Sequence, residues 1–128
     1  MGRRDAREIA FKLVFAYTFD KMKNQDALEE YLSESDADDS AYVKEVYEGV
    51  SSHYNELETD ISLCADKFEV SRIFKVDLAI LLLAVYEIKY MEQIPYKVSV
   101  DEAINLASKY STEKSGKYIN GILAKFAR

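Results

Sequence analysis

The sequence predicts an all-α domain built around one apolar helix, and three observations carry that reading. Val76 to Ile88 reads V-D-L-A-I-L-L-L-A-V-Y-E-I, with 11 of its 13 positions apolar and Asp77 and Glu87 near its ends. Periodicity does not separate a buried strand from a helix without a solvent face, but the run exceeds a usual strand and its Leu and Ala favour helix. Elsewhere apolar residues recur at intervals of three and four, the mark of amphipathic helices. One Pro and four Gly leave little punctuation for strands and turns. The run is too short, and too closely flanked by Arg72, Lys75 and Lys89, to span a bilayer.

Taken in order, the first helix is expected from about Asp5 to Phe19, with Ala6, Ile9, Ala10, Leu13, Val14 and Tyr17 on one face. Arg3, Arg4 and Arg7 stand at its entrance, and Arg3 and Arg7, four apart, project together if the helix begins early enough. Cations there oppose the helix dipole, which calls for something anionic nearby. A short helix around Asp26 to Ser33 turns Leu28, Tyr31 and Leu32 inward. The acidic run S-E-S-D-A-D-D-S, residues 33–40, reads as a loop, after which Ser40 caps a long helix through about Asp60. A short helix from Ser62 to Phe68 follows, and Ser71 and Arg72 stand where the chain turns into the central helix.

Tyr90 to Lys97 is a connector, because Pro95 disfavours helix at Ile94. Ser99-Val100-Asp101-Glu102 has the S-x-x-E form of a capping box and starts a helix through Tyr110, with Val100, Ala103, Ile104 and Ala107 inward. Thr112 or Ser111 caps the last helix, whose apolar stripe is Tyr118, Ile119, Ile122, Leu123 and Phe126. Asn120-Gly121 resembles a hairpin turn, but its flanks keep helical period, so Gly121 is expected at a close helix contact.

At 128 residues the chain is one domain, long enough to bury a core without staples. A single cysteine, Cys64, excludes an internal disulfide and points to a reducing compartment. No apolar segment follows the charged N-terminus, so no secretory signal is expected and the cytoplasm is the expected location, with no membrane partner. The net charge of −6 conceals a split. Residues 24–66 carry one cation, Lys44, against thirteen acids, whereas residues 1–23 and 67–128 are each +3. An acidic middle with basic ends is the result.

One His and one Cys cannot form a usual zinc site or a Cys–His nucleophile, and no glycine-rich loop follows a strand. His53 reads as a structural or surface residue and Cys64 as a small buried apolar group. Carboxylates abound, but in the acidic run and on helix faces where they are solvated. Neither a catalytic constellation nor a cofactor site emerges, and no enzyme is expected. The positive segments say more: Arg3, Arg4 and Arg7 at one end, and Lys109, Lys114, Lys117, Lys125 and Arg128 at the other, interleaved with Tyr110 and Tyr118. Cations for phosphates beside an aromatic face for a splayed base are how single-stranded RNA is usually held. The competing reading is that these charges are solubilising and that both tyrosines pack inward.

Four segments together resemble one family. R-R-D-A-R-E-I-A-F-K-L-V-F at the start, R-I-F-K-V-D-L-A-I-L-L-L-A-V-Y-E-I in the centre, I-P-Y-K-V-S-V-D-E-A-I-N-L-A-S-K-Y after it and K-Y-I-N-G-I-L at the close are similar to NusB, the bacterial transcription antitermination factors. The resemblance runs from Arg3 to about Lys125 and is weakest over residues 20–66. It implies about seven helices in two packed sub-bundles. It also implies binding of boxA-type single-stranded RNA together with NusE, a small-subunit ribosomal protein, and assembly into the RNA polymerase antitermination complex that supports ribosomal RNA transcription. Carried onto this sequence, it places Arg3, Arg4 and Arg7 at the RNA, makes Tyr118 a candidate stacking residue with Lys114 and Lys117 beside it, and matches Asp77 to an acidic position opening the central helix.

Two positions depart from the family pattern, which commonly has a cation at Leu78 and usually Arg at Leu82, and another departure is Tyr110-Ser111 in place of an F-G pair. Leucine cannot bind a phosphate. A second reading is therefore a protein-interaction domain or homodimer with RNA affinity reduced by the loss of basic positions at Leu78 and Leu82. Exposed, the two leucines would add to an apolar contact patch; inside, they merely bury the helix better. Similar domains also precede the catalytic part of some ribosomal RNA methyltransferases, but this sequence carries no methyl-donor motif.

Overall fold

The computed structural model describes residues 3–65 and 73–127, and within them the fold is all-α. Seven α-helices follow one another: α1 (Arg3–Asp20), α2 (Gln25–Glu34), α3 (Ala37–Ser52), α4 (Tyr54–Cys64), α5 (Lys75–Tyr90), α6 (Tyr96–Tyr110) and α7 (Glu113–Leu123), closed by a 3₁₀ turn over Ala124–Phe126. The predicted turn into the central helix at Ser71 and Arg72, and the end of the expected helix to Phe68, lie outside the described residues. No described helix is long and apolar enough to cross a membrane.

Helix α5 is the centre. Every residue from Asp77 to Ile88 is buried, because α1, α3 and α4 cover it on one side and α6 and α7 on the other. Leu78, Leu81, Leu82 and Leu83 are each at most 2% exposed. Burying one such side chain contributes about 1.5–3 kcal/mol, which is why an element with almost no polar face is stable only here. The burial of Leu78 and Leu82 decides between the two alternatives: they bury the helix and form no exposed leucine patch. Neither position faces solvent in this chain.

The helix boundaries follow local chemistry, not always as expected. The acidic run is mostly helical: Asp36, not Ser40, caps α3 by accepting from the Asp39 N–H at 2.8 Å, and Asp38 and Asp39 complement the dipole in the first turn. Ser40 instead bonds to Ser35 and to the Leu32 carbonyl, closing the short corner between α2 and α3. The single long helix expected through Asp60 is two helices broken at His53. There Ser51, Ser52 and His53 place side-chain polar atoms on the carbonyls of Tyr47, Glu48 and Gly49, a competition that bends helices. His53 is thus structural, half-buried with its ring centroid 4.6 Å from that of Tyr90. Cys64 is only partly buried, and its carbonyl accepts from Lys125 at 2.9 Å. Helix α1 ends on Lys21, whose left-handed φ of 59° lets its N–H return to the Tyr17 carbonyl.

The capping box does not form. Helix α6 starts three residues earlier, on Pro95 and Tyr96, without a side-chain cap, and both box residues are used across the fold: Ser99 donates to Glu87 and Glu102 accepts from Arg4. At α7 it is Thr112 that accepts from the Ser115 N–H.

Gly121 is not at a close contact; nothing lies within 4 Å of a Cβ built there. The crowded glycine is Gly49, where a Cβ would stand 2.2 Å from Cζ of the buried Tyr86 ring. Opposite outcomes are expected from one substitution. Gly121→Ala should raise stability by about 0.5–1 kcal/mol through helix propensity alone, and Gly49→Ala should lower it by about 1–3 kcal/mol through overpacking. Denaturant midpoints compare the two, and equal shifts would contradict this packing.

Candidate nucleic-acid interface

The arginines of the first turn of α1 have three different fates. Arg4 is the most exposed, its side chain 70% accessible, yet its guanidinium is forked onto Glu102 of α6 at 2.9–3.2 Å. Arg3 stands half-exposed, with Nε 3.6 Å from Asp39 of α3 and its guanidinium 4.8 Å above the Tyr42 ring. Arg7 turns inward. It is 5% exposed and donates to both oxygens of Glu87 at 2.9 and 3.2 Å, while the Tyr42 hydroxyl and Ser99 also donate to that carboxylate. Burial works against the Arg7 charge, but Glu87 outweighs it and holds the pKa above its ordinary value. Arg7, expected at the RNA, has its fork filled from within the core. Arg3 and Arg7 do project together, but over Tyr42 rather than into solvent. The anions demanded by a cationic helix start are supplied by carboxylates of α3, α5 and α6.

Alongside, α1 and α6 enclose a groove of about 260 Å³ lined by Arg4, Arg7, Glu8, Glu102, Asn105 and Lys109. Lys109 donates to Glu8 across it, and its ammonium, like that of Lys12, lies under 6 Å from the Tyr110 ring centroid. Tyr110 is fixed against Phe11 at 5.1 Å. The hydrogen bond to Glu8 raises the Lys109 pKa. At Glu102, burial raises the carboxyl pKa, but the Arg4 hydrogen bonds and charge prevail and hold it below the usual carboxylate range.

A second and larger groove, about 670 Å³, lies between the start of α5 and the start of α7. Ile73 and Phe74 form one wall and Lys114 and Tyr118 the other. Phe74 is 67% exposed. Asp77 lies in the floor, its oxygens accepting from Ser111 at 2.6 Å and Ser115 at 2.9 Å. Tyr118 is half-buried with its hydroxyl oxygen inside, and burial followed by the Asp77 charge pushes that hydroxyl's pKa up. Lys117 is exposed on α7 and lines neither groove.

The fold thus brings Arg4 together with Lys109, and Lys114 together with Tyr118, while Arg3 lies towards α3. Three features escaped sequence reasoning: the Asp77–Ser111–Ser115 set, the Glu8 and Glu102 partners, and the exposed Phe74. Ser111 carried only a capping signal and Ser115 none, and nothing in the sequence shows which carboxylate a cation across the fold will meet.

The model of the NusB family matches residues 4–128. The chain belongs to the NusB family. A transcription antitermination protein NusB of Acetivibrio thermocellus is 40% identical over 130 residues, covering 100% of this chain and 90% of that relative. One of Listeria monocytogenes is 40% identical over 127 residues, covering 99% and 97%. Among solved structures, T. maritima NusB superposes with a TM-score of 0.90 at 33% identity, over 99% of this chain and 91% of the other. A NusB chain solved in complex with NusE and double-stranded RNA superposes at 0.85 with 23% identity, over 97% and 94%, and attests the fold. The all-α fold is thus that of NusB proteins, and Leu78 and Leu82 are interior positions of this chain.

Proposed function

We propose that this NusB-family chain is a non-enzymatic transcription antitermination factor that binds boxA-type single-stranded RNA jointly with the ribosomal protein NusE, within the RNA polymerase antitermination complex, in the cytoplasm. One observation carries the reading. On a protein of net charge −6, the accessible cations Arg4 and Lys109 share the groove between α1 and α6, Lys114 shares the second groove with the Tyr118 ring, and Lys117 is exposed on the same helix as Lys114. Cations hold phosphates there while an aromatic face receives a base. Arg3 stands half-exposed towards α3, and Arg7 is held in the core by Glu87. For NusE, the support is the exposed Phe74 over an apolar groove with Asp77 in its floor, a surface that suits a basic segment with apolar flanks. The second reading, a protein-interaction domain or homodimer with RNA affinity reduced by the loss of basic positions at Leu78 and Leu82, gains no exposed leucine patch, because both leucines are core residues.

The test is a titration of boxA RNA and a scrambled control at two salt concentrations, with and without NusE. About four phosphate contacts predict a log–log salt slope near −3 on a single strand. Tighter binding of boxA than of the control, strengthened by NusE, is expected; equal, salt-insensitive binding of both would refute the proposal. In the same titration Phe74→Asp should remove the NusE enhancement and leave binding by the chain alone within about twofold, a fold-change set by one added charge near the phosphates.

A further inference from the structure

Nearly every cation of the proposed RNA surface that carries a fixed geometry already has a carboxylate. Arg4 is forked onto Glu102 and Lys109 is bound to Glu8, with the two carboxylates at 12% and 20% side-chain exposure and the two cations at 70% and 59%. The acids sit inward and the bases outward along one groove between α1 and α6. Asn105 lies between them and offers a neutral polar group to the same groove. An arriving phosphate must therefore share or displace a carboxylate that is held by the helix packing. The two acids subtract most from a bound state that relies on phosphate contacts alone, and less from one whose register on the surface is set by base contacts elsewhere.

We propose that Glu8 and Glu102 are specificity-determining residues: they keep Arg4 and Lys109 neutralised, so that backbone contact alone binds RNA weakly and retention depends on base contacts elsewhere on the surface. The inference rests on the RNA-binding reading above and adds what sets its selectivity. Sequence-independent binding is governed by the number of cations free to release counterions. Neutralising the two acids leaves two more cations unmatched without removing any group that contacts a base. Glu102 has a second effect, since its two oxygens fix the plane of the Arg4 fork.

The experiment measures Kd for a short single-stranded boxA RNA and for a scrambled RNA, at about 50 and 200 mM salt, for the wild-type chain and the double variant Glu8→Gln, Glu102→Gln. A charge control carries Asp26→Asn and Glu30→Gln on α2, which changes the net charge by the same amount away from the groove. The groove variant should bind scrambled RNA about tenfold tighter and boxA only about threefold tighter, with a salt slope steeper by about one, while the control shifts both RNAs equally and little. Thermal melts of the free chains show that all three are folded. If the wild type binds boxA selectively and the groove variant neither tightens nor loses selectivity, the role of the two acids is wrong and the RNA reading stands. Equal gains from groove variant and control overturn it too, since long-range charge then suffices. If no chain binds either RNA, both readings fall.

Discussion

Replacing Glu87 with Ala is expected to lower folding stability by about 3–5 kcal/mol, the cost of removing one member of a buried ion pair. Glu87 is fully buried in the middle of the fold, and three donors from three other helices converge on it: the Arg7 guanidinium of α1, the Tyr42 hydroxyl of α3 and the Ser99 hydroxyl of α6. Without the carboxylate, Arg7 is a buried charge with no counter-ion, and Tyr42 and Ser99 lose their acceptor. Burial, followed by the Glu87 charge, holds the Tyr42 pKa well above its ordinary value, so in the wild type that hydroxyl donates to Glu87. Urea unfolding measures the effect, with a lower midpoint at unchanged slope. Glu87→Gln, which keeps the volume and an acceptor oxygen, should cost less than Glu87→Ala. The double change Arg7→Met, Glu87→Leu should recover most of the loss, because a well-packed apolar pair can match a buried ionic one. A loss below about 1 kcal/mol in Glu87→Ala, within the range of an ordinary substitution, would show that the network does not hold the helices together.

Tyr118→Ala is expected to weaken boxA binding by about 1–3 kcal/mol, roughly 5- to 150-fold, if the ring stacks a base. The ring stands on the wall of the groove at the start of α5 and α7, with its hydroxyl end directed inward beside Asp77. What it can present outward is carbon, not a hydrogen-bonding group. Tyr118→Phe keeps that carbon surface and should bind RNA within about twofold of wild type, since stacking needs the ring and not the oxygen. The pair of variants separates stacking from hydrogen bonding, and their thermal melts separate both from damage to α7. Binding of Tyr118→Ala as tight as wild type would remove Tyr118 from the site.

How far sequence reasoning reached depends on whether a feature is local. Periodicity and composition were enough for α1, α2, α5, α6 and α7, since an apolar stripe at helical spacing has few other ways to be buried. Boundaries failed where a side chain had a choice of partner. Ser99 and Glu102 have the spacing of a capping box, yet each finds a partner on another helix. Asp36 outcompetes Ser40 for the start of α3, and three consecutive polar side chains break the helix at His53. Gly121 and Gly49 show the same limit, because a glycine does not announce what lies opposite it.

By itself the sequence determined the all-helical class, the central place of Val76 to Ile88, the basic ends around an acidic middle, and the family to which these segments belong. Only the tertiary structure decided which cations are available. It turned Arg7 into the core against Glu87, set Arg4 and Lys109 against Glu102 and Glu8, and placed Leu78 and Leu82 inside. The reason is physical: hydrophobic period is a property of one helix, whereas the partner of a charge is fixed by which helices lie side by side, and that packing brings together residues about a hundred positions apart, as in Arg4–Glu102 with a separation of 98.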